Sequence, residues 1–358
     1  MRRRLLLGAA LAGALPLTVG PAQAAPAGTA RVSTDGGGVQ LPSASYGGTV
    51  GADGRHVLFA TADPTGGYNT SLHVKDLRTG ALTQVPEDLQ YTTHPMLSAN
   101  GRRVAYSNGD RYPKPYVYDR ATGETRQLWP AQPPDTAFYE LGEAAAISAD
   151  GRQVAYTIGN RHGDQYARVL YVRDLAAGTD DQISPVPPEG MITGASLSAD
   201  GRTVAYGVLV RTDRATTVHV YAEDRASGVT TRIDTGGATG LVQISADGRR
   251  VLFNSTSEDG TSGVYVRDLR TGRVRSIAAG SADAADFSLR YVVLAEDTGL
   301  VLLDSGTGTR HTVAPPGSTA VPGSVTRHGR AVVFTSDAGD LVPGDTNGTS
   351  DVFVRHLG

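Results

Sequence analysis

The residues of this 358-residue chain best suited to chemistry are the ones that do not repeat along it. Trp129, the only tryptophan, is followed by Phe138, Tyr139, Glu140 and Glu143. A later stretch carries Arg161, His162, Asp164, Gln165 and Tyr166, and Arg211 and Arg214 come after it. Tyr68, Tyr91, His94 and Tyr112 lie in nearby connections. Aromatic rings, arginines and acids mixed on loops suit a polar ligand or a partner surface. Trp129, Phe138, Tyr139, Glu140, Arg161, His162, Tyr166 and Arg211 are therefore the candidate binding face. For each of them the competing role is ordinary loop packing.

Other chemistries find less support. Glycosidic cleavage needs only two carboxylates at a suitable gap, and Glu140, Glu143 and Asp164 are the least repeat-like acids. No Gly-x-Ser-x-Gly elbow and no His-Glu-x-x-His pair occurs, and the eight histidines are scattered. Cysteine is absent, which excludes disulfides and thiolate zinc sites. No catalytic residue is assigned. One metal motif stands out: Asp345, Asn347 and Asp351, with Gly348 between them, resemble the middle of a calcium loop. Pro343 replaces the first ligand and no glutamate closes the loop, so an Asx-stabilised turn competes with calcium. No other cofactor is expected. A net charge of −3 makes no electrostatic case for nucleic acid.

These loops need a scaffold, and the scaffold is a repeat. Ser-Ala-Asp-Gly-Arg followed by an apolar run occurs at 148–156, 198–206 and 245–253. Close variants lie at 51–59 and 98–106, and weaker ones at 287–294 and 326–334. Each is followed by a second apolar run, which in six copies ends in Asp and a Gly turn, as in Val-Tyr-Val-Arg-Asp-Leu-Arg-Thr-Gly at 264–272, and in the last reads Val-Phe-Val-Arg-His-Leu-Gly at 352–358. Short apolar runs bounded by Asp-Gly or Thr-Gly predict strands joined by tight turns. One unit is thus strand a, an Asp-Gly turn, strand b, a variable loop, strand c, a Gly turn and strand d. A period of 40 to 50 residues with four strands per unit predicts an all-β, seven-bladed β-propeller of four-stranded antiparallel blades.

Seven b and c strands can be counted, but only six d strands follow a c strand. The segment Thr29-Ala30-Arg31-Val32-Ser33 resembles a d strand and is expected to close the ring by pairing with 352–357. A six-bladed ring, with the degenerate copy at 287–313 packed aside, is the alternative. The repeated aspartates (53, 150, 200 and 247, then 76, 119, 174, 224 and 268) are assigned to turn chemistry, because they recur in blade after blade.

These repeats resemble the WD40-like β-propeller repeat of TolB-type proteins, with Ala where that family usually has Pro. The resemblance covers about 29–358. It implies a propeller used for protein or ligand binding, often exported in bacteria. Residues 1–358 leave no room beside the repeats for the separate N-terminal α/β domain of TolB, so none is expected in them and the family's partner-binding residues are not carried over.

Residues 1–24 read as an export signal: Arg2 to Arg4, an apolar stretch from Leu5 to Val19, and Ala22-Gln23-Ala24 as the cleavage site. The propeller domain then spans 29–358, and the mature chain is expected to be an extracytoplasmic monomer without a membrane anchor. The function expected is a non-catalytic scaffold for a protein, peptide or glycan. The alternatives are a secreted carbohydrate-active or other hydrolytic enzyme using acids on the variable face, and a purely structural cell-envelope protein.

Overall fold

The computed structural model describes residues 28–85, 89–131, 141–162, 165–183, 190–211, 216–234, 236, 238–256 and 260–357. They form seven antiparallel sheets arranged as the blades of a propeller. Blade 1 comprises Ser45–Val50, His56–Ala62, Asn69–Asp76 and Leu82–Gln84; blade 2, Thr93–Leu97, Arg103–Asn108, Lys114–Asp119 and Glu124–Gln127. Blade 3 comprises Leu141–Ile147, Gln153–His162, Gln165–Asp174 and Thr179–Gln182. Blade 4 holds Gly190–Leu197, Thr203–Arg211, Thr216–Asp224 and Val229–Arg232. Blade 5 holds Ala238–Ile244, Arg250–Thr256, Ser262–Asp268 and Val274–Ala279. Blade 6 holds Ser281–Ala285, Tyr291–Glu296, Gly299–Asp304 and Arg310–Ala314, so the degenerate copy is a full blade and the count is seven.

Blade 7 is built from both ends of the described chain. Thr29–Arg31 pairs antiparallel with Asp351–His356, with Thr29 opposite Arg355 and Arg31 opposite Phe353, and Asp351–His356 pairs in turn with Ala331–Ser336. The innermost position is filled by an irregular segment that makes bridges from Thr319 to Thr335 and from Val325 to Val332.

Why these strands pack as blades follows from their alternation. Side chains of strands b and c point to both blade faces, and each face meets a neighbouring blade. The buried apolar residues accordingly fall into clusters between successive blades, such as Leu58, Leu72, Val104 and Tyr118 between blades 1 and 2. Val32, Val50, Phe59, Val333 and Val352 form the cluster between blades 7 and 1. Gly48 permits this last approach: a Cβ there would lie 2.4 Å from a methyl of Val333 and 2.9 Å from one of Val352.

Strands b and c also place a stacked ring pair at one register. Tyr106 stacks on Tyr116, Tyr156 on Tyr171, Tyr206 on Tyr221, Phe253 on Tyr265 and Phe334 on Phe353, with centroids 5.6 to 5.8 Å apart. Such cross-strand pairs hold antiparallel strands in register. In blade 1 the partner of Phe59 is His73, at 5.4 Å. Burial pushes the His73 imidazole down to about 4.

The closing strand is held by charge as well as by its ladder. Arg31 Nη2 lies 3.2 Å from Asp345 and Arg31 Nε 3.1 Å from Asp351, and all three side chains are buried. Ser33 Oγ donates to Asp351 at 2.6 Å. Gln40 Nε2 donates to Asp351 at 2.6 Å and to Asp345 at 3.0 Å. From blade 1, the buried Lys75 Nζ donates to the carbonyls of Thr34 and Asp35 at 3.0 and 2.6 Å.

Two predictions concern this ring. Asp351→Ala removes one of the two buried carboxylates that Arg31 pairs with and the acceptor of Ser33 and Gln40, and breaking such a buried pair costs up to about 3–5 kcal/mol, to be read from urea denaturation. Retention of wild-type stability would show that closure rests on the backbone ladder alone. For His73 the folded value lies below the unfolded one of about 6.5. The unfolded chain therefore takes up a proton first, and stability falls as pH drops from about 6.5 towards 4. His73→Phe keeps a ring on Phe59 and should flatten the melting temperature across that window. An unchanged slope would assign the acid sensitivity to other groups.

Candidate functional site

The repeated aspartates are consumed by the turns they sit in. In blade 4, Ser198 Oγ donates to Asp200 at 2.7 Å, the Arg202 N–H donates to the same carboxylate at 3.0 Å, and the Thr203 N–H donates to Ser198 Oγ at 3.0 Å. The same set recurs at Ser148 with Asp150 and at Ser245 with Asp247. In blade 6 the two residue types exchange places. Asp286 stands where Ser belongs and Ser288 where Asp belongs, and Ser288 Oγ donates to Asp286 at 2.8 Å. The bond survives because only the donor and acceptor have swapped.

The aspartate that ends strand c caps the next turn in the same manner. Asp174 accepts from the Ala176 and Ala177 N–H groups, and Asp304 from Gly306. In four blades it also pairs with an arginine of the a–b turn: Arg55 with Asp76, Arg102 and Arg103 with Asp119, Arg202 with Asp224, and Arg290 with Asp304. Hydrogen bonds from Arg55 and Arg290 hold Asp76 and Asp304 well below the usual carboxylate range. Burial alone would raise Asp119, but Arg102, the Ala121 N–H and Arg103 outweigh it and hold that carboxyl at about 2. These acids are locked as anions, which suits turn structure and not proton transfer.

The opposite face carries the b–c and d–a connections. Here Tyr68 and Tyr91 stack with centroids 4.8 Å apart, and the Tyr91 N–H donates to the Tyr68 carbonyl. Tyr68 is 72% exposed and Tyr112, in the adjoining loop, 45%. Burial and the charge of Asp110 both raise the Tyr91 hydroxyl. Tyr91 also has a positive φ of 51°, a conformation that side chains other than Asn, Asp and His rarely adopt.

Of the residues singled out from sequence, Arg211 is exposed at the end of a blade 4 strand. Trp129 is half-buried against the cluster between blades 2 and 3. Its ring lies 4.2 Å from Lys114 Nζ, and its carbonyl accepts from Arg173 at 2.7 Å. Trp129 thus has a packing role alongside any contact role. Glu143 sits on the innermost strand of blade 3 and pairs with Arg168 at 2.5 Å. Phe138, Tyr139, Glu140 and Asp164 lie outside the described residues. Arg161, His162 and Tyr166 are placed by their backbone on the long hairpin of blade 3, where Arg161 faces Tyr166, but their side chains lie outside the described part. The Tyr68–Tyr91 stack was not legible as a pair, because 23 positions of sequence separate the rings and only the blade brings them together.

The residues of the calcium-like motif are engaged with the closing segment. Asp345 and Asp351 share Arg31 and Gln40. Asn347 Nδ2 donates to the Leu41 carbonyl at 3.0 Å, and its Oδ1 accepts from the Thr349 N–H at 3.1 Å, an Asx turn. Among the described residues no group of three or more His, Asp or Glu side chains gathers as a metal centre. Nor does any described helix have the length and apolarity to cross a membrane.

No family model and no curated protein matches the chain. Solved structures do. An oligogalacturonate lyase in complex with manganese is 16% identical, with 94% of this chain and 95% of that one covered and a TM-score of 0.67. The β-propeller domain of the trilobed protease from Pyrococcus furiosus is 13% identical over 87% of this chain and 95% of that one, with a TM-score of 0.58. TolB from Acinetobacter baumannii is 19% identical over 73% of this chain, with a TM-score of 0.49. The chain spans 64% of the length of that TolB. Identities this low speak to fold. By its repeats and its ring, the chain is a seven-bladed β-propeller whose units resemble the WD40-like repeat.

Proposed function

We propose that the protein is an exported binding scaffold that presents a protein, peptide or glycan site on the b–c and d–a face. One observation carries this reading: the two faces differ in how their polar groups are used. On the turn face the repeated carboxylates are spent on their own backbone, whereas exposed rings and charges such as Tyr68, Tyr112 and Arg211 collect on the other. Variable loops on a rigid ring are where binding usually resides. The trio Arg161, His162 and Tyr166 and the segment holding Phe138 to Glu140 would extend the same face. Export rests on the leader at 1–24, and cleavage after Ala24 would be seen in the mass of the secreted form. Calcium at Asp345, Asn347 and Asp351 is a separate proposal supported by the motif. A fall in melting temperature on chelation would support it, and an unchanged curve would leave Arg31 as the counter-charge.

The test is a peptide and glycan panel, oligogalacturonate included, followed by variants. Tyr68→Ala and Arg211→Ala should weaken binding by about 1–2 kcal/mol each if they are anchors, with the fold intact. Asp200→Ala should do the opposite, lowering stability by about 1 kcal/mol and leaving affinity unchanged. The reverse pattern would place the functional face on the turn side. Turnover of any panel member would replace scaffold by enzyme.

A further inference from the structure

Among the described residues the arginine–aspartate pair of the turn face is missing at Asp174 in blade 3 and at Asp268 in blade 5, and in blade 5 further arginines gather around the gap. Blade 5 ends strand c at Asp268, whose carboxylate accepts from the Thr271 N–H at 2.7 Å and the Thr271 hydroxyl at 2.9 Å. At the repeat position of Arg250, blade 2 has Arg103, whose Nε donates to Asp119 at 3.0 Å. Arg250 instead turns to the neighbouring blade and donates to the Ser288 carbonyl at 2.8 Å. Arg273 and Arg275 follow on the exposed outer strand, and Arg275 reaches the Ser305 carbonyl of blade 6 at 3.5 Å. Among the described residues none of these three arginines is in an ion pair.

They surround a cavity of about 400 Å³ between blades 5 and 6, a size within the range of small-ligand pockets. Its apolar wall is Val266 and Leu289. Leu289 occupies the position held by Gly101, Gly151, Gly201 and Gly248 in other turns, and it keeps their left-handed backbone with φ of 55°. A branched side chain there is strained, and strain of this kind persists where the surroundings hold it in place. With three arginines and one aspartate, the lining carries a net excess of two positive charges, the guanidinium forks being suited to carboxylate or phosphate oxygens.

We propose that this cavity binds a small sugar-sized ligand bearing a carboxylate or phosphate, the oxyanion lying among Arg250, Arg273 and Arg275 and the ring face against Val266 and Leu289. The site lies on the opposite face from the scaffold surface above, so it stands or falls independently of that reading.

Calorimetric titration of the full chain with glucose 6-phosphate, glucuronate, glucose and inorganic phosphate tests it. At least one of the charged sugars should bind saturably, more weakly as salt rises, and more tightly than inorganic phosphate; glucose should not bind. Which of the two binds identifies the anion. The double variant Arg273→Gln and Arg275→Gln should reduce that affinity by at least about tenfold. Both side chains are exposed, so the melting temperature should not change. Arg202→Gln removes a charge from the same face in blade 4 and should leave binding as it was. Failure of both charged sugars to bind, equal binding of glucose or of inorganic phosphate, or a loss in Arg202→Gln matching that of the double variant would each overturn the proposal.

Discussion

In this propeller the last sheet is finished by the segment at the other end of the described chain, and the contact between blades 7 and 1 leans on that closure. Each blade buries its two faces against neighbours, so the cluster of Val32, Val50, Phe59, Val333 and Val352 exists only while blade 7 stays against blade 1. Three kinds of force hold it there. The antiparallel ladder from Thr29 to Arg31 covers the edge at 353–355. Arg31 brings a buried charge to the carboxylates of Asp345 and Asp351. Lys75, from the neighbouring blade, ties down the two carbonyls that follow the closing strand. The ladder alone is not specific, since any strand can cover an edge. The charges choose this strand and its register, because a one-residue slip would leave Arg31 and Asp351 buried apart.

Once the ring is closed, its repeats can drift as long as turn geometry is kept. Blade 6 shows how far this goes: Asp286 and Ser288 exchange roles, and Leu289 takes a glycine's backbone. Blade 7 uses Thr326, whose hydroxyl accepts from the Ala331 N–H at 2.8 Å, where blades 2 to 5 have Ser. The selected property is one hydrogen-bonded turn shape that hands strand a to strand b. Several residue combinations satisfy it, and the sequence signal weakens while the blade does not. The same rigidity leaves the opposite connections free to differ in length and composition, which is the physical ground for placing recognition there.

The repeat made the architecture legible before any coordinates. The Asp-Gly turns, the strands of alternating apolar character and the missing seventh d strand together specified four-stranded blades, seven of them, and a closing strand at 29–33. Turn chemistry for the repeated aspartates was legible too, because Asp and Gly act on their own local backbone and their meaning travels with the sequence. What only the tertiary structure decided is which distant groups meet. Arg31 and Asp351 are 320 positions apart, and nothing local marks them as partners. Trp129 looks like a free loop side chain in sequence, yet the ring sets it half-buried beside Lys114 and Arg173. Arg250, Arg273 and Arg275 look like three ordinary surface charges until the ring gathers them around one cavity that blade 6 completes with Leu289. Local hydrogen bonding is written in neighbouring residues, whereas charge pairing and cavities are written in the spacing between blades.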